Sequence, residues 1–286
     1  MNDMTGLDGL REYPLARRGF FMTSLMGGLT LATTRVEAQV ITTDTTGIEA
    51  GETKIPVPGG SLPAYFARPA KGANFPVVIV NEEIFGVHDY IKDVCRRLAK
   101  AGYLAVATEY YARIGDLSKM TDVKQIIADV ISKEPDAQYM ADADATVTWA
   151  AANKGNTNRL AVTGFCRGGR MTWLFAAHHP KVKAAVAWYG PVGGQPSPIQ
   201  PATATDYADQ LRCPLLGLYG GQDQGIPVDA VKAAEAKAKA AKKNVQIVIY
   251  PDAPHGFHAD YRPSFRKEAA EDGWKRMLAW FKRYGV

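Results

Sequence analysis

From Pro76 onward, short and almost uninterrupted apolar runs alternate with stretches of helical periodicity, and few folds accept that rhythm. The runs Pro76 to Val80, Tyr103 to Thr108, Leu160 to Thr163, Ala184 to Trp188, Leu215 to Tyr219 and Val245 to Tyr250 have the length and composition of strands buried on both faces. Between and after them, His88 to Ala101, Ala137 to Ala152, Met171 to His179, Val228 to Lys242 and Ser264 to Tyr284 read as helices. The expectation is an α/β fold with a mostly parallel, doubly wound sheet and helices on both faces. Ahead of it, two alternating runs, Thr53 to Val57 and Leu62 to Ala67, predict an antiparallel hairpin around Pro58-Gly59-Gly60.

The N-terminus reads differently. Ala16-Arg17-Arg18-Gly19-Phe20-Phe21 sets paired arginines before a short apolar stretch rich in small residues, and Val36-Glu37-Ala38 ends in residues a signal peptidase accepts. Residues 1–38 are therefore expected to be a twin-arginine signal peptide, 39–52 a linker and 53–286 one α/β domain. The expected location is the periplasm or outside the cell, reached in the folded state, with no other membrane association. Four basic residues (Arg11, Arg17, Arg18, Arg35) and four acidic ones (Asp3, Asp8, Glu12, Glu37) cancel in the signal, so the net charge of +5 belongs to the rest. No basic tract with interleaved aromatics accompanies it, which argues against nucleic acid. Cys95, Cys166 and Cys213 are too few and too scattered for a disulfide framework or a metal site, so neither metal nor organic cofactor is expected. The Ala- and Lys-rich stretch Val228 to Lys242 reads as a solvated helix face, and Pro191 to Leu211 as a long irregular connection beside the pocket or on the surface.

Chemistry concentrates at Thr163-Gly164-Phe165-Cys166-Arg167-Gly168-Gly169. This fits the nucleophile-elbow pattern G-x-S-x-G with cysteine in place of serine, between a strand and a helix as the motif requires. Ligands of such sheets sit at the carboxyl ends of strands, so partners of Cys166 should follow other strands. Gly220-Gly221-Gln222-Asp223 and Pro251-Asp252-Ala253-Pro254-His255-Gly256-Phe257 do so, in the order nucleophile, acid, histidine of α/β-hydrolases. His255 would move the proton, and Asp223 would fix its tautomer. His258 and Asp252 are the rival base and acid; His88, His178 and His179 read as surface or capping residues. After Val80, Glu82 and Glu83 lie beside an apolar strand, and one of them is expected to point inward near the thiol, its own pKa raised by burial.

Glu83-Ile84-Phe85-Gly86-Val87, Gly164 to Gly169, Gly221-Gln222-Asp223 with Pro227, and His255-Gly256-Phe257 together resemble the dienelactone hydrolase family, the carboxymethylenebutenolidases, from about Ile55 to the C-terminus. The resemblance implies an α/β-hydrolase fold of one domain without a large cap. It implies Cys166, Asp223 and His255 as the triad, and Glu83 as the glutamate that keeps the resting thiol quiet until substrate binds. It also implies an oxyanion hole from the N–H groups of Ile84 and Arg167. In the family, an arginine four residues beyond the histidine holds the substrate carboxylate; here that place is Ala259, and Arg262, Arg113 or Arg167 would have to substitute. The expected activity is hydrolysis of a small-molecule lactone or small ester through an acyl-enzyme, by a monomer or weak dimer. A general carboxylesterase or thioesterase for neutral substrates is the alternative enzyme, and a non-catalytic ligand-binding member of the fold the alternative of another class.

Overall fold

The computed structural model describes residues 42–286. The expected signal peptide lies outside the described residues. Eight strands form one sheet: β1 (Ile48–Val57), β2 (Gly60–Pro69), β3 (Phe75–Asn81), β4 (Leu104–Thr108), β5 (Gly155–Phe165), β6 (Val182–Trp188), β7 (Leu215–Gly220) and β8 (Val245–Tyr250), in the order β1-β2-β4-β3-β5-β6-β7-β8. The β1–β2 hairpin and the β2–β4 pair are antiparallel, and every later pair is parallel. The α/β expectation is met. β1 begins at Ile48, inside the stretch read as linker, because Ile48 to Glu52 pair with Tyr65 to Pro69.

The helices are α1 (Asp89–Lys100), α2 (Asp136–Ala152), α3 (Arg167–His178), α4 (Val228–Ala240) and α5 (Lys267–Arg283), joined by short helical turns such as Ala204–Tyr207. α1 links β3 back to β4, whereas α2 carries the chain from β4 over β3 to β5. Right-handed connections running in opposite directions place their helices on opposite faces of the sheet. Both faces of the central strands are thereby covered. Val77 to Val80, Leu160 to Val162 and Ala184 to Trp188 are fully or almost fully buried, which is why these strands are apolar without alternation. α4 buries only Val231, Ala234 and Ala238 along one side and leaves Lys232 and Lys239 to solvent, as its composition suggested, while the half-buried Lys237 donates to Asp206 O at 2.9 Å.

The reversal of direction makes β3 and β5 neighbours, with Asn81 in register with Gly164. A crevice opens beyond the carboxyl ends of strands at such a switch point. Packing there is backbone on backbone: a Cβ at Gly164 would lie 2.3 Å from the Gly168 carbonyl oxygen, and one at Gly168 2.3 Å from that of Asn81. The glycines let the start of α3 press against the end of β3. Cys166 and the Glu82–Glu83 loop are brought together by that contact.

Candidate active site

Cys166 stands between β5 and α3 at φ +55° and ψ −120°, a strained turn for a residue with a Cβ. Its N–H is tied to the Trp188 carbonyl at 3.1 Å, and the residue is buried. Cys95 and Cys213 are buried and unbonded as well. Burial pushes the Cys95 thiol far up and that of Cys213 up to about 12, which keeps both protonated.

The turn after β7 is stitched to the turn after β8 by Gly221 N–H to Tyr250 O (2.8 Å) and Gln222 N–H to Ala253 O (3.0 Å). This stitching sets Asp223 beside His255. One Asp223 oxygen accepts from the N–H groups of Gly225 (2.9 Å) and Ile226 (3.1 Å), and the other bonds His255 Nδ1 at 2.7 Å. His255 Nε2 is buried with no hydrogen bond among the described residues. Burial disfavours the imidazolium, but the Asp223 carboxylate and then the charge of Cys166 outweigh it, and His255 is pushed up to about 10. The rival base is placed elsewhere: His258 is packed against Trp188, Phe165 and Trp274, bonds the Tyr90 hydroxyl, and is driven down to about 3 by burial and by Arg97. Asp252 is exposed.

Both glutamates after β3 are fully buried, one more than expected. Glu82 accepts from the Tyr110 N–H at 2.8 Å; burial and the neighbouring Glu109 push its pKa well up. Glu83 is opposite to expectation. Burial alone would raise its pKa, but Arg262, then His88 and Tyr261, hold it down to about 2. All three donors converge on one oxygen, Oε2: Tyr261 hydroxyl at 2.8 Å, His88 Nε2 at 3.0 Å and Arg262 Nη2 at 3.1 Å. Oε1 has no partner among the described residues, and neither has Arg262 Nη1. Cys166 is not among the hydrogen-bond partners of Glu83.

Arg262 arrives seven residues beyond His255 because two successive turns, Ala259 N–H to Gly256 O and Arg262 N–H to Ala259 O, fold the chain back. Arg113 instead grips Asp142 with both terminal nitrogens. The N–H of Arg167 opens α3, where no intrahelical acceptor exists, and that of Ile84 lies in the loop after β3. The Arg167 side chain reaches Gln200 at 3.0 Å, which places the Pro191 to Leu211 connection beside the elbow.

A cavity of about 1020 Å³ lies next to the Glu83–Arg262 pair, lined by Phe85, His88, Glu109, Tyr261 and Arg262 and by the stretch Gly115 to Ser118 with Met120. Cys166, His255 and Arg113 are not on its wall. His88, read as a capping residue, makes no capping bond with its side chain and turns to Glu83 instead. Tyr261 and Tyr189 drew no attention in the sequence; Tyr189 directly follows β6, and the strand-end rule would have found it. Among the described residues no group of three or more His, Cys, Asp or Glu could hold a metal ion, and no helix is long and apolar enough to cross a membrane.

An elbow after the central strand, with an acid and a histidine following two later strands, defines an α/β-hydrolase. Residues 62–285 match the Dienelactone hydrolase family, and the chain belongs to it. A protein of Methylorubrum extorquens, provisionally named carboxymethylenebutenolidase, is 55% identical over 274 residues, covering 95% of this chain and 94% of its own. A similarly named Escherichia coli protein is 48% identical over 264 residues, covering 92% of this chain and 97% of its own. The crystal structure of a provisionally named dienelactone hydrolase from Klebsiella pneumoniae matches with a TM-score of 0.82 at 51% identity, covering 83% of this chain and 99% of that one. The protein is accordingly a hydrolase of lactone or ester substrates.

Proposed function

We propose that the reaction runs through a cysteine acyl-enzyme. The observation that carries this reading is the buried Asp223–His255 pair, 2.7 Å apart, whose free ring nitrogen senses the charge of Cys166 on its strained elbow. Cys166 Sγ gives up its proton to His255 Nε2 and attacks the carbonyl carbon, and the N–H groups of Ile84 and Arg167 receive the oxyanion. His255 protonates the departing oxygen. It then takes a proton from the water that attacks the thioester, so the acid leaves and the thiol is restored. Asp223 holds Nδ1 and the imidazolium throughout.

Substrate recognition would fall to Arg262. Its unpartnered Nη1 is a donor that a substrate carboxylate can take, and such an anion would compete with Glu83 for the same guanidinium. Freed of Arg262, Glu83 could serve the thiol, the part that the family resemblance assigns to it. A Bradyrhizobium relative, 31% identical over 228 residues, is provisionally named a 2-oxo-3-(5-oxofuran-2-ylidene)propanoate lactonase, a carboxylate-bearing lactone. The second reading, an esterase or thioesterase for neutral substrates, is favoured by the neutralisation of Arg262 by Glu83 in the free site.

Rates on cis- and trans-dienelactone against p-nitrophenyl acetate, with Cys166→Ala as control, test both. Loss of all turnover in Cys166→Ala is expected, and retained activity in a pure sample would sink the cysteine mechanism. Preference for the dienelactones supports Arg262 as the anion site; turnover of the neutral ester alone supports the second reading. Export in the folded state through the Arg17-Arg18 segment is part of the proposal, and cell fractionation with Arg17 and Arg18 replaced by lysine tests it.

A further inference from the structure

Tyr189 sits at φ +36°, where an aromatic residue is an outlier. Two neighbours hold it there. Its N–H donates to Leu218 O at 2.8 Å, and the following Gly190 lies so close to α3 that a Cβ would stand 2.4 Å from the Gly169 carbonyl carbon. The ring is fully buried and meets the His255 imidazole edge to face, with centroids 5.2 Å apart and planes at 67°. Its hydroxyl is buried and makes no hydrogen bond of ordinary length among the described residues; the group it senses most closely is the Tyr90 hydroxyl, which itself bonds His258 Nδ1 at 2.6 Å. The charges it senses are those of Glu83, Arg262 and Cys166. Burial, reinforced by Glu83, keeps the phenol un-ionised, so it is a donor and not a base. Backbone strain and an unmade buried hydrogen bond are both unfavourable, and here both fall on one residue packed against His255.

We propose that Tyr189 is a further catalytic residue whose hydroxyl donates a hydrogen bond to the oxygen that leaves the acyl carbon. The assignment rests on the cysteine-hydrolase reading. In that reading the carbonyl oxygen is served by Ile84 and Arg167, and the leaving oxygen must approach His255 Nε2, the imidazole on which the Tyr189 ring rests. When the carbon–oxygen bond breaks, its electron pair stays on the leaving oxygen, the proton of His255 Nε2 passes to that oxygen, and the acyl group remains on Cys166 Sγ. Tyr189 keeps its proton and steadies the charge while the transfer is incomplete.

The test is Tyr189→Phe in the full-length protein, compared with wild type and Cys166→Ala on two acetates that differ only in the leaving group. Ethyl acetate releases a poorly stabilised alkoxide, and p-nitrophenyl acetate a well stabilised phenolate. Tyr189→Phe is expected to lower kcat/KM on the order of 10²-fold for ethyl acetate and less than about threefold for p-nitrophenyl acetate. Its Tm should stay the same or rise, because the substitution removes an unsatisfied buried hydroxyl and no packing. Equal losses on both esters, no loss on either, or a loss that accompanies a lower Tm would overturn the assignment. Retained turnover in Cys166→Ala would overturn the cysteine mechanism and the assignment with it; Cys166 dependence with an unselective Tyr189→Phe overturns the assignment alone.

Discussion

Two buried carboxylate–cation pairs flank the elbow, and they are built on opposite plans. In Asp223–His255 every carboxylate oxygen is occupied, Oδ1 by two backbone N–H groups and Oδ2 by the imidazole. In Glu83–Arg262 three donors crowd onto Oε2 while Oε1 and Arg262 Nη1 stand unused. A saturated pair fixes a geometry; a half-used pair can exchange partners. The proposed sequence of events needs both, a proton carrier that never changes its orientation and an ion pair that a substrate can open.

The comparison can be broken most forcefully at Asp223. Asp223→Asn should cut kcat on the order of 10³-fold, since the amide offers no charge to the imidazolium and can bond the wrong tautomer. It should also alter how stability depends on pH. His255 is raised from 6.5 to about 10, so the stability it contributes is fully present below pH 6.5 and lost as pH rises toward 10. Urea titrations across that window should show the decline in wild type and little of it in the variant. A variant with wild-type kcat would mean that the saturated pair does not orient His255.

The other pair fails at the other end of the scale. Glu83 is lowered from 4.5 to about 2, so its stabilisation is present above pH 4.5 and lost as pH falls toward 2. Arg262→Met leaves that carboxylate buried without its counter-charge and should cost about 3–5 kcal/mol in urea unfolding at neutral pH. Glu83→Gln combined with Arg262→Met should recover most of it. If the single variant cost no more than about 1 kcal/mol, the value typical of an exposed ion pair, the buried-pair description would be wrong.

Glu134 sharpens the contrast with the smallest effect. It is a buried carboxyl with no ion pair among the described residues, and burial followed by the charge of Asp142 outweighs Arg113 and Arg167 and raises it from 4.5 to about 7. The folded state therefore binds the proton more tightly, and stability should fall as pH rises from 4.5 to 7. Glu134→Gln should remove that slope and add about 1–3 kcal/mol at pH 8. An unchanged slope would show that the carboxyl reaches water.

Strands, helices and the places of Cys166, Asp223 and His255 were legible because they depend on local signals: apolar runs of strand length, and each of the three residues just beyond a strand. The state of Glu83 was not. Its charge is set first by Arg262, 179 residues away in the chain, then by His88, five residues on and read as a capping residue, and by Tyr261, 178 away; burial without them would have given the reverse sign. Arg262 could be named as a candidate but not placed, because its position depends on two turns after Gly256 that no fixed spacing encodes. Tyr189 stayed hidden for another reason: a tyrosine at the end of a buried strand looks like core until its backbone angle and its unbonded hydroxyl are known.

Under the proposed cysteine mechanism, the three thiols make the protein its own active-site counter. Cys95 and Cys213 lie buried with their pKa values pushed far up, so neither supplies a thiolate near neutral pH. A substrate-like acylating reagent applied to the native protein should then stop at one equivalent per chain, on Cys166, while a general thiol reagent should reach three equivalents only on unfolding. Stoichiometry by intact mass would report the fraction of competent enzyme in any preparation, independently of which substrate is eventually found for it.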